Sequence, residues 1–143
     1  MKISSNKKAR YEYDIIDKYE AGIVLSGSEV KSIRSRQVSL QDSFCKIENN
    51  ELYVHNMHIA DYAFTKYYRS DSKRKRKLLM HSNEIKKIAV KTIQRGMVLV
   101  PIEIYFNERG ICKLQVALGK SRKKYDKREL IKKRDLDREQ QNI

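Results

Sequence analysis

Over residues 10–16, Tyr11, Tyr13 and Ile15 interleave with Glu12 and Asp14, the period of two that marks a half-buried strand. Residues 20–25, with Ala21, Ile23, Val24 and Leu25, predict a second strand. Ser26-Gly27-Ser28-Glu29 then has the spacing of a capping box, and Val30 and Ile33 fall on one side of a short helix ending near Gln37. Two apolar runs, 43–48 and 51–56, flank Asn49-Asn50. Asn tolerates positive φ, so a tight two-residue hairpin is expected there. Residues 60–80 follow neither period and read as a long loop with some strand in it. Ser82 is placed to cap a second helix, with Ile85, Ile88, Ala89 and Ile93 on its inner face and Gly96 past its end.

Residues 98–106 predict a strong strand, in which Pro101 lacks an N–H donor and points to an edge or a bulge. Asn107-Glu108-Arg109-Gly110 makes the turn, and Cys112, Leu114, Val116 and Leu118 alternate with Lys113, Gln115 and Ala117 on the return strand. Short strands, few helices and no βαβ rhythm predict a mainly β fold: a small antiparallel OB-like barrel of about six strands with two or three short helices. The division expected is a barrel over 1–119 and a basic tail over 120–143. Leu130, Ile131, Leu136 and Ile143 are the tail's aliphatic residues, too few to anchor it by burial, so it is expected to be disordered when free. Asp126 can cap a turn with Glu129 reciprocating, and Glu129 precedes Lys133 by four, so the tail is expected to become helical in an anionic site.

Charge changes the picture more by its position than by its total. The formal net charge is +14, from 32 Lys and Arg against 18 Asp and Glu. Residues 1–10 hold +4, residues 66–77 hold +6 and residues 120–143 hold +5, leaving the other 97 at −1. A near-neutral body with three cationic attachments favours a polyanionic partner, because self-repulsion is otherwise uncompensated. No run approaches the roughly 18 apolar residues of a membrane span, and the basic N-terminus lacks the apolar core of a secretory signal. Cys45 and Cys112 cannot build a disulfide framework and read as small buried residues on strands, which fits a cytoplasmic location.

The aromatic-then-basic stretch Tyr62, Phe64, Tyr67, Tyr68 followed by Lys73, Arg74, Lys75, Arg76 and Lys77 suits RNA, since rings stack on bases and cations neutralise phosphates, although Phe64 is expected to face the barrel core and the Tyr rings fit either place. His55 and His58 form H-x-x-H, but on a strand positions i and i+3 point oppositely, and no third ligand stands at a recognisable spacing. His81 adjoins the basic run. A Gly-rich phosphate loop, G-x-S-x-G and a Cys–His arrangement are all missing, so the expectation is a binding protein with no catalytic residue, metal or cofactor. Asp14, Asp17 and Glu20 could bind Mg²⁺ in a nuclease, but strand alternation explains them more simply.

Four strings in order resemble one family. They are Asn6-Lys7-Lys8-Ala9-Arg10-Tyr11-Glu12-Tyr13; Glu20-Ala21-Gly22-Ile23 with Gly27-Ser28-Glu29-Val30-Lys31-Ser32-Ile33-Arg34; Arg74-Lys75-Arg76-Lys77-Leu78-Leu79; and Gly119-Lys120-Ser121-Arg122-Lys123-Lys124-Tyr125-Asp126-Lys127-Arg128. They resemble the motifs of the SmpB, or SsrA-binding, family of bacterial ribosome rescue. The resemblance implies a barrel that binds the tRNA-like domain of transfer-messenger RNA (tmRNA) and enters the ribosomal A site with it and elongation factor Tu. It implies a tail lying in the decoding centre and empty mRNA channel.

By the same resemblance, Asn6, Glu20, Gly22 and Leu79 would contact the RNA elbow. Lys7, Lys8, Arg10, Lys73, Arg74, Lys75, Arg76 and Lys77 would supply the cationic RNA contacts. Lys120, Lys123, Lys124, Tyr125, Asp126, Lys127 and Arg128 would face the ribosome. Tyr125 stands where many relatives have His, and the tail stops at Ile143, short of many relatives. The alternative is a generic OB-fold ribosomal or RNA-chaperone protein, separated from the first reading by its lack of RNA selectivity.

Overall fold

A computed structural model describes residues 1–61 and 72–122. The expected aromatic segment with Tyr62, Phe64, Tyr67 and Tyr68 lies outside the described residues, as does the chain from Lys123 onward.

The elements are β1 (Lys2–Ser5), α1 (Lys7–Glu12), β2 (Tyr13–Ile23), α2 (Gly27–Arg34), β3 (Val38–Ser39), β4 (Phe44–Glu48) and β5 (Glu51–His55), followed by β6 (His58–Ile59), β7 (Arg76–Leu79), α3 (Ser82–Arg95), β8 (Val98–Phe106) and β9 (Cys112–Ser121). Strands run antiparallel in the order β1-β8-β4-β5-β7-β2-β9, and β9 pairs back onto β8. That pairing closes a six-strand ring, the OB-like barrel expected from the pattern, with β3 and β6 as a separate pair. Ile33, Leu52, Val54, Met57, Ile88, Leu114, Val116 and Leu118 fill its interior.

Local chemistry produces several elements directly. The Ser26 hydroxyl accepts from Glu29 N–H while the Glu29 carboxylate accepts from Ser26 N–H at 2.9 Å, so the capping box is complete. Asn49 and Asn50 both take positive φ and join β4 to β5 as a two-residue hairpin. Gly96 ends α3 in the left-handed region at φ 64°. Pro101 sits where the β8–β9 register shifts, the expected bulge. Cys45 and Cys112 are buried on β4 and β9, and burial pushes the Cys112 thiol up to about 11.

Four expectations need correction. The alternation from Arg10 is not strand: residues 7–12 form α1, because the Asn6 side chain caps Ala9 N–H and Ala9 packs beneath Val100, Ile102 and Ala117. Three alternating positions are too few to outweigh that anchor. The two strands expected over 10–25 are one, β2, kept continuous through a register shift between Ile15 and Asp17. Ser82 is not the cap of α3: His81 holds that position without a side-chain bond. Ile93 is 82% exposed instead of facing inward, while Ile85 and Ile88 are buried.

Candidate nucleic-acid interface

β2 lies between β7 and β9, and its ladder places Gly22 opposite Leu79 on one side and Lys113 on the other. The three residues form a row across the barrel wall. Gly22 is a notch in that row: a Cβ there would sit 3.3 Å from Leu79 Cβ. Leu79 is 53% exposed and forms the apolar side of that notch. Around the notch, Glu20, Leu79, Met80, His81, Glu84 and Lys113 line a shallow depression of about 470 Å³.

Glu20 accepts a hydrogen bond from the Tyr105 hydroxyl and stands 3.9 Å from Lys113 Nζ. Burial, together with that bond to Glu20, pushes the Tyr105 phenol well above its ordinary range. The depression thus combines an apolar wall for a sugar or base face, a carboxylate acceptor for hydroxyl or amino donors, and a lysine for a phosphate. The fold brings Glu20, Gly22 and Leu79 together, three residues from two distant strings. Lys113, His81 and Tyr105 were missed by sequence reasoning. Lys113 read as the solvent face of an alternating strand, and only the β2–β9 pairing reveals its neighbours.

The other expected residues are distributed differently. Lys7, Lys8 and Arg10 are exposed on α1, with Lys8 Nζ 3.6 Å from Glu12 and 3.7 Å from Asp42. Helix α1 enters β2 at Tyr13, about 30 Å along the strand from Gly22 at ~3.3 Å per residue. Lys120 lies in β9 opposite Asp14, and Arg122 N–H donates to Glu12 O at 2.8 Å. The folded body therefore continues to Arg122, past the expected boundary at 119. Lys120 belongs to the barrel wall beside α1. Lys123, Lys124, Tyr125, Asp126, Lys127 and Arg128 lie outside the described residues.

Asn6, expected at the RNA elbow, is buried here as a structural pin. Its Oδ1 caps α1, and its Nδ2 donates to Leu40 O and Pro101 O, each at 3.2 Å. Within the basic run, Arg76 stands apart. Arg76 is 1% exposed, and its guanidinium donates to Glu29 Oε2 at 2.6 Å and to Met57 O at 2.7 Å, so it cannot reach a phosphate from there.

Arg74 also pairs with Glu29. Lys75 pairs with Glu48 at 2.9 Å and lies over the Tyr53 ring; Lys77 pairs with Glu51 at 2.9 Å. These carboxylates hold both lysines above their usual range and are themselves held low. Much of the formal charge on this strand is compensated within the barrel. Lys73 is exposed in the turn before β7. His55 stacks on Phe44 and lies 3.0 Å from Glu48, while His58 belongs to the separate β3–β6 pair.

A closed antiparallel barrel, with a polar and apolar notch at one end of a strand and a cationic helix at the other, defines a small OB-type binding module. The family model described as SmpB protein matches residues 3–143, and the chain belongs to that family. It is 46% identical over 136 residues to the SsrA-binding protein of Pseudothermotoga lettingae, covering 95% of this chain and 91% of that one. To the SsrA-binding protein of Coprothermobacter proteolyticus it is 48% identical over 138 residues, covering 96% and 92%. A solved chain described as "tmRNA-SmpB: a journey to the center of the bacterial ribosome" is 41% identical, with a TM-score of 0.72 over 92% of this chain and 95% of that one.

Proposed function

We propose that this chain binds the tRNA-like domain of tmRNA and delivers it to the A site of stalled ribosomes, in the cytoplasm and together with elongation factor Tu. Family membership over nearly the whole chain supports the RNA and the ribosome as partners. The observation that carries the contact surface is the gathering of Glu20, Gly22 and Leu79 with Lys113 around one notch. In this reading that notch takes the RNA elbow, with Lys73 as a flanking cation.

Lys7, Lys8, Arg10 and Lys120 form a second contact zone, next to the point where the chain leaves the barrel. Residues 123–143, with Tyr125, Asp126, Lys127 and Arg128, then serve the decoding centre and mRNA channel and fold as a helix there.

The test is fluorescence anisotropy against the isolated tRNA-like domain and an unrelated RNA duplex, at salt high enough to weaken phosphate-only binding. The wild type retains a preference for the tRNA-like domain, and Glu20→Ala loses it. That variant is more cationic than the wild type, so weakened attraction cannot explain the loss. Equal affinity for both RNAs would instead identify a generic OB-fold RNA binder.

A further inference from the structure

β7 is only four residues long, yet it joins β5 to β2 and carries Leu79 into the notch. Its pairings are Leu52 with Leu78, Tyr53 with Lys77 and Val54 with Arg76 on one edge, and Gly22 with Leu79 and Ile23 with Leu78 on the other. Arg76 and Leu78 face inward; Lys77 and Leu79 face outward. A hydrophobic pattern alone would not hold this register. Leu78-Leu79-Met80 is apolar at three consecutive positions, so a slip of one or two residues still offers an apolar side chain to the core.

Arg76 removes that ambiguity. Its Nε donates to Glu29 Oε2, Nη1 to Met57 O and to Arg74 O at 3.1 Å, and Nη2 to Ser72 O at 3.1 Å. Glu29 is 3% exposed and is fixed by its own bond to Ser26 N–H, so the receiving point is anchored to the start of α2. A two-residue slip in one direction puts Leu78 opposite Glu29 and leaves that buried carboxylate, which pairs with both Arg74 and Arg76, with at most one guanidinium. In the other direction, Arg76 moves into the apolar place of Leu78. Both break the buried Glu29–Arg76 pair, and the second leaves a guanidinium buried without a carboxylate, the case in which a buried ion pair specifies register.

We propose that Glu29 and Arg76 are positioning residues for RNA binding: their buried pair locks β7 in register and so sets Leu79 against Gly22, without touching RNA. The proposal rests on the reading of the notch as an RNA surface. It also gives the Arg74-Lys75-Arg76-Lys77 string a division of labour, in which one cation that reads as a phosphate ligand works inside the barrel.

The test is the double variant Glu29→Gln, Arg76→Met, which removes both charges while Gln keeps an acceptor for Ser26 N–H. Three measurements are made: the thermal melt, the cross-strand nuclear Overhauser peak between Gly22 and Leu79, and anisotropy with the tRNA-like domain. The expected result is a cooperative melt with the cross-peak displaced or weakened and affinity lowered ~10-fold or more, because a slip of one residue turns Leu79 to the other face and a slip of two carries it past Gly22.

Wild type and Leu79→Ala run in the same titration. A wild type without selectivity refutes the proposed function, while the cross-peak reports on register without any RNA. The two signals must fall together; affinity lost with the cross-peak in place, or both unchanged, overturns the proposal. Should the double variant not fold, Arg76→Lys is judged by the same pair of signals.

Discussion

Replacing Asn6 with Ala separates a buried pin from a surface contact. The side chain makes three bonds inside the protein: a cap to Ala9 N–H at 3.3 Å and donations to Leu40 O and Pro101 O. Loss of an Asn cap costs about 1 kcal/mol. Each buried carbonyl that loses its donor adds about 1 kcal/mol. The total is therefore about 2–4 kcal/mol, or a fall in Tm of roughly 8–15 °C for a domain of this size. The assay is a thermal melt followed by circular dichroism, paired with anisotropy at 10 °C below the variant's own transition, on the order of the predicted shift.

The folded variant should bind the tRNA-like domain nearly as the wild type does. Asn6→Asp should be at least as damaging to stability, because it keeps the cap acceptor but turns an acceptor towards two carbonyls. An unchanged Tm with affinity down by more than about tenfold would refute the reasoning and put Asn6 at the RNA.

Two further outcomes follow from single positions. At Gly119 an added Cβ would lie 2.9 Å from Asp14 O and 3.3 Å from Tyr13 Cβ, so the β2–β9 ladder must part there. Gly119→Ala should cost about 1–3 kcal/mol as an overpacked contact and speed hydrogen exchange at Arg122 N–H; an unaltered melt counts against it. For Glu29, burial raises the carboxyl, but Ser26 N–H, Arg76 and Arg74 outweigh it and hold the group below its ordinary range. A depressed carboxylate stabilises the fold fully above its unfolded value and loses that contribution as pH falls through its folded value. The urea midpoint should therefore drop below about pH 4, less steeply in Glu29→Gln. Equal slopes would assign the acid transition to other carboxylates.

Much of the barrel was legible along the chain. The hairpin at Asn49-Asn50, the start of α2 at Ser26, the end of α3 at Gly96 and the bulge at Pro101 all stand where the residues place them. The candidate site was legible in part. Glu20, Gly22 and Leu79 were named through the resemblance; Glu20 and Gly22 share one face of β2, and the β2–β7 pairing sets Leu79 beside Gly22. Their companions Lys113 and Tyr105 carried no signal, because a lysine or tyrosine on an alternating strand reads the same whether or not it faces a ligand. α1 was missed because its stability comes from Ala9 packing on β8 and β9 instead of from its own pattern.

By itself the sequence determined the turns, caps and strand alternation, along with the local excess of cations, since each depends on backbone sterics or side chains within about four residues. Tertiary structure alone decided which of those cations meet solvent. Arg76 is drawn inside by Glu29, 47 residues away, while Lys75 and Lys77 find Glu48 and Glu51 on the neighbouring β4–β5 hairpin. Desolvation and pairing are set by whatever the fold packs alongside a charge, and a run of five basic residues looks the same in sequence whether its members face a phosphate, a carboxylate or the core.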